Sequence, residues 1–113
     1  MKNFTIIALV SFFATAAAAH SPVQSTTPVN ASVVAEVPAQ VSIRFANDIR
    51  LTRVDMTHED HSTVALDLGE QTSFATDYSV ELDGMGSGTY VIEWRGLGAD
   101  GHPMRGDFSF LVD

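Results

Sequence analysis

The 113-residue sequence contains no cysteine. That absence removes disulfides, thiolate zinc sites, iron–sulfur clusters and cysteine nucleophiles together. A small exported domain without staples must be held by its apolar core alone, and any metal must be bound by histidine, carboxylate, backbone or methionine. Lysine is nearly absent too: Lys2 is the single one. Beyond residue 19 the cations are five arginines, set against 14 acids, for a formal net charge of −9. Phosphate polyanions would be repelled by that balance, which excludes nucleic acid and an anionic membrane surface as partners. Cations are allowed by it, and solubility alone would account for it equally well.

The chain has one long apolar run, and it lies at the start. Lys2 precedes the apolar stretch Phe4 to Phe13, and Ala17-Ala18-Ala19 follow. This is the order of a secretory signal with its small-residue cleavage site. The run is too short to span a hydrocarbon layer of about 30 Å. Residues 1–19 are therefore read as a signal peptide and residues 20–113 as one exported domain of 94 residues, with no membrane insertion. The domain is expected to be exported and monomeric.

No window of a dozen residues in that domain repeats at the helical period. Alternation is common instead. Val41-Ser-Ile-Arg-Phe45 places apolar residues at every second position, as a half-buried strand does. Asn47-Asp48 is read as the end of that strand. Leu51 to Met56, Thr63 to Leu68, Tyr78 to Leu82, Thr89 to Trp94 and Asp107 to Val112 alternate as well. His20 to Pro28, with prolines at 22 and 28, reads as an extended edge segment, and residues 29–38 as a loop. Asp83 to Gly88 is glycine-rich, but no helix pattern and no Lys-Ser/Thr follows, so it is a connection and not a phosphate loop. Six or seven short strands with turn signals between them predict an all-β fold, a small immunoglobulin-like Greek-key β-sandwich or barrel. Trp94 is assigned to its core.

Chemistry-bearing residues gather at the two ends of the domain. Asp100-Gly-His102-Pro is by itself an ordinary turn, with Gly101 supplying the unusual backbone angles and Pro103 the stiff exit. It also sets a carboxylate and an imidazole two residues apart. Cleavage after Ala19 would free the α-amine of His20, so that the amine and Nδ1 of one residue could chelate one ion. The amine has an ordinary pKa of about 8, and shedding its proton near neutrality is inexpensive. Three nitrogens and one oxygen, from His20, His102 and Asp100, form a tetragonal set that favours Cu(II) among first-row divalent ions. Pro22 has no amide proton, which blocks a competing peptide-nitrogen complex. His58 and His61, in the charged stretch with Glu59 and Asp60, are read as solvated turn residues or a weak adventitious site.

Several motifs together resemble the CopC copper-resistance family: His20 behind an Ala-rich signal, Val41-x-Ile43-x-Phe45, Gly88-Thr89-Tyr90 to Trp94, Asp100-Gly-His-Pro-x-x-Gly106 and Phe108-x-Phe110-x-Val112. The resemblance implies a periplasmic β-sandwich that binds Cu(II) through residues corresponding to His20, Asp100 and His102, without enzymatic turnover. It also implies a CopD-like inner-membrane protein as recipient. Two departures stand out. Asn47, followed by Asp48, occupies the position where some members carry a metal-proximal Glu. The methionine-rich loop that some members use for Cu(I) is reduced here to Met56 with His58 and His61. Two other readings remain open: a histidine-brace copper oxidase or monooxygenase, and a metal-free immunoglobulin-like interaction module. The first would need an open coordination position, which a ligating Asp100 would fill.

Overall fold

The computed structural model describes residues 22–70 and 72–113. Seven strands follow one another: β1 (Val23–Thr27), β2 (Ser32–Val34), β3 (Gln40–His58), β4 (Val64–Ala65), β5 (Ala75–Glu81), β6 (Gly88–Gly98) and β7 (Pro103–Val112). No helix occurs among the described residues, as the sequence predicts. The hydrogen-bonded order is β1-β3-β6-β7-β2, with β4 and β5 also pairing with β3. All pairs are antiparallel except β2 with β7.

The 19-residue strand β3 governs this arrangement. Its first half pairs with β1 and β5, and its second half with β4 and β6. One strand thus serves both layers and turns the corner between them, the device by which sheets fold over onto themselves. The corner is where the sequence suggests a break. Asn47 and Asp48 do not end the strand; they lie exposed at its bend, with a register shift against β5 between Arg44 and Ile49. A second shift against β6, between Leu51 and Arg53, moves the buried positions from odd to even. Val41, Ile43, Phe45, Ile49 and Leu51 face the core before it, and Val54, Met56 and His58 after it. An extra residue in one strand does this because side chains alternate with period two.

The interior is aromatic at its centre. Trp94, Tyr90, Phe45 and Phe110 are fully buried. Phe45 meets Trp94 edge-on at 4.9 Å, and Tyr90 stacks on Phe110 at 5.2 Å. Gly106 lies under the indole, so close that a Cβ there would stand 2.8 Å from Nε1; any side chain would push β7 away from Trp94. Shorter elements depart from the sequence reading. Of the alternating stretch 63–68 only Val64–Ala65 pairs, with Val64 exposed and Leu66 alone buried. β2 forms within the predicted loop, because its three residues can align beside β7.

The corner is clipped by Tyr78. Its buried hydroxyl donates to the Ile49 carbonyl at 2.6 Å and is approached by the Leu51 amide at 3.5 Å. Removing the hydroxyl leaves a buried carbonyl short of its donor, which costs about 1–3 kcal/mol. Urea unfolding is expected to show Tyr78→Phe destabilised by that amount, and Ser42→Ala, at an exposed hydroxyl pair, changed by no more than about 0.5 kcal/mol. Equal effects of the two substitutions would contradict the clip.

Candidate metal centre

Four residues, Ala99 to His102, join β6 and β7, and within them Gly98 and His102 close a three-residue turn, Ala99-Asp100-Gly101. The Gly101 amide donates to Gly98 O at 2.9 Å, and the Gly98 amide donates to His102 O at 2.9 Å. Gly101 has φ of +86°. A tight turn followed by a left-handed glycine is the usual three-residue hairpin, and it needs glycine at that position. The turn holds Asp100 and His102 at the same end of the hairpin.

There the two side chains meet. Asp100 Oδ1 accepts the His102 backbone N–H at 3.1 Å, and Oδ2 lies 2.8 Å from His102 Nδ1. Both side chains are open to solvent, Asp100 at 69% and His102 at 80%. The hydrogen bond from the His102 ring, and after it the one from the His102 amide, hold the Asp100 carboxyl below the ordinary aspartate range. The carboxylate therefore stays charged throughout the neutral and mildly acidic range. Donors in cis positions, each about 2.0–2.1 Å from a first-row ion, stand about 2.8 Å apart. The Nδ1–Oδ2 pair has that spacing, but as a hydrogen bond donated by Nδ1–H to the carboxylate; an imidazole and a carboxylate are donors suited to a first-row ion, and both would face one ion only after that proton is given up or the ring turns.

The loop borders a depression of about 360 Å³ whose walls include Pro22, Asn47, Asp48, Asp100, His102 and Met104. Three distant stretches converge here: the entry to β1, the corner of β3 and the β6–β7 hairpin. Pro22 is anchored by its carbonyl, which accepts the Ala46 amide at 2.9 Å. Asn47 and Asp48 are exposed on the same rim. Met104, half-buried, is a thioether neighbour that the sequence reading did not single out. Its position two residues after His102, on a strand, is the signal that places both on one face. His20 lies outside the described residues, and among these no cluster of three or more His, Cys, Asp or Glu side chains is placed to hold a metal.

Of the two histidines in the 57–61 stretch, His58 departs from expectation and His61 does not. His58 is no solvated turn residue: it is 5% exposed at the end of β3, because it continues the core parity of Val54 and Met56. Its Nε2 lies 2.7 Å from Ser87 O, and its ring packs on Tyr90 at 4.6 Å and on His61 at 5.3 Å. His61 is exposed, with Nδ1 3.0 Å from His58 O. Met56 is fully buried in the core. A thioether in the core and an imidazole already bonded to a carbonyl do not form a ready soft-metal site.

The comparisons agree with this architecture. The CopC domain family matches residues 23–113. Copper resistance protein C of Pseudomonas syringae pv. tomato is 26% identical over 120 residues, covering 96% of this chain and 92% of that protein. The crystal structure of CopC from Methylosinus trichosporium OB3b aligns with a TM-score of 0.70 at 23% identity, over 83% of this chain and 94% of its own. PcoC, a methionine-rich copper resistance protein from Escherichia coli, aligns with a TM-score of 0.59 at 24% identity, over 84% of this chain and all of its own. Sequence similarity along the whole β domain and a shared strand architecture lead to one assignment: the chain belongs to the CopC family of copper resistance proteins.

Proposed function

We propose that the chain is an exported, periplasmic Cu(II)-binding protein that carries or buffers copper without turnover. In this reading, signal cleavage after Ala19 exposes His20, whose amine and Nδ1 grip the ion, and Asp100 and His102 complete the set. The observation that carries it is the meeting of Asp100 and His102 in the depression lined by Pro22. His20 precedes Pro22 by two residues, and two residues of extended chain span about 7 Å, enough length to reach a depression that Pro22 lines. The acidic balance of the domain favours cation capture, and copper is the metal in the names of its relatives. Asn47 and Asp48 on the rim offer further oxygen donors. Delivery to a CopD-like inner-membrane protein rests on family membership alone.

Two outcomes are expected. Titration of the exported protein with Cu(II), followed by electron paramagnetic resonance, is expected to give one tetragonal signal per chain, and His20→Ala is expected to abolish it. An unchanged spectrum in that variant would remove His20 from the site. Affinity is expected to fall steeply below about pH 6, because amine and imidazole donors must shed protons to bind. Asp100 does not generate that slope. Its lowered pKa keeps it ionised there, and its contribution is lost only as pH falls through that lowered value. Constant affinity from about pH 5 to 8 would contradict the nitrogen donors.

A further inference from the structure

The outer face of β3, β6 and β7 carries charge in rows. Register places Arg53 beside Arg95, and Arg95 beside Arg105; one step along the same face, Asp55 lies beside Glu93, and Glu93 beside Asp107. Like charges thus sit directly opposite one another across three strands, in two parallel rows of opposite sign. Within a lone chain this is the unfavourable way to distribute six charges, since like pairs across strands repel. Arg53 and Asp55 form an ion pair at 2.9 Å. Glu93, Arg95, Arg105 and Asp107 are exposed and make no ion pair among the described residues.

Along β6 the outward residues read Val91, Glu93, Arg95, Leu97, with Val91 and Leu97 half-buried. The pattern is apolar, negative, positive, apolar. It is symmetric in apolarity and antisymmetric in charge about the midpoint between Glu93 and Arg95. That is the pattern a two-fold axis requires. An axis lying in the plane of the face, between the two rows, would set each arginine over the matching acid of a second copy, and Val91 over Leu97. Depressions of about 330 Å³ between the charged rows and about 460 Å³ beside Leu97 and Pro103 could receive the opposing side chains.

We infer that this face is the contact surface of a symmetric homodimer, with a second copy of the same chain as its partner, in place of the lone chain expected from the sequence. Charge complementarity selects that partner. Three of the five arginines are on this face, balanced by three acids, whereas the rest of the strongly acidic domain would repel another copy. A second copy carries both rows in the order needed, and such an isologous contact closes on itself. Four outward positions along a strand span about 20 Å, and three strands about 10 Å. The area is small, so the association is transient and strongly weakened by salt.

Sedimentation velocity on the exported protein tests this, with a chelator present so that no metal can bridge chains. At low ionic strength and about 1 mM chain, where weak association registers, dimer is expected, and it should dissociate in about 0.5 M salt. Arg95→Glu and Glu93→Arg should each be monomeric. An equimolar mixture of the two should form a heterodimer, and the double exchange E93R/R95E should dimerise with itself. These positions are exposed, and unchanged unfolding midpoints would show that the variants fold. A wild-type protein that stays monomeric at low salt, a dimer indifferent to the single reversals, or a mixture that fails to associate would each overturn the proposal. Copper binding is not read by any of these measurements, so the dimer and the metal site stand or fall separately.

Discussion

One strand has to belong to two layers. Because β3 pairs with β1 and β5 at one end and with β4 and β6 at the other, the sheet must bend at Asn47 and Asp48. The bend is sustained by the Tyr78 hydroxyl on the backbone of Ile49 and by two register shifts that keep apolar side chains inward on both sides. Without cysteine, this corner and the packing of Phe45, Trp94, Tyr90 and Phe110 must maintain the shape that disulfides secure in many small exported domains.

The corner also brings the candidate site together. It sets Asn47 and Asp48 against the β6–β7 hairpin, and its neighbour Ala46 holds the Pro22 carbonyl. Chain entry and chain end, some eighty residues apart in sequence, thus share one depression. The hairpin presents Asp100 and His102 side by side, hydrogen-bonded to each other, with the carboxylate charged. Both side chains are open to solvent.

Much of this was legible in the residues. Alternation located β6, β7, β5 and both halves of β3, because one side of each is buried and the other solvated. The Asp-Gly-His-Pro turn indicated the hairpin and the two side chains that meet on it. What misled were positions where local polarity and long-range packing disagree. Asn47-Asp48 resembles a strand end, yet polar residues are what an exposed bend between two layers accommodates. His58 is followed by Glu59 and Asp60, which suggests solvent, although its spacing from Val54 and Met56 assigned it to the core. The stretch 63–68 alternates well but pairs only at Val64 and Ala65, since alternation records burial and says nothing about whether a neighbouring strand is within reach. β2 has three residues and a parallel partner distant in sequence, so no local pattern could show it.

The central claim is that a free amino group at His20 supplies part of the metal site. Its most direct test compares Cu(II) affinity, by competition with a chromophoric chelator, for the chain beginning at His20 and for the same chain with that amine acetylated. Acetylation leaves every side chain in place and turns the terminal amine into an amide, whose nitrogen is no longer a ready donor. The account predicts an affinity loss of more than about tenfold, the least that disturbing a mere supporting group around a metal costs. Equal affinity in the two forms would contradict it.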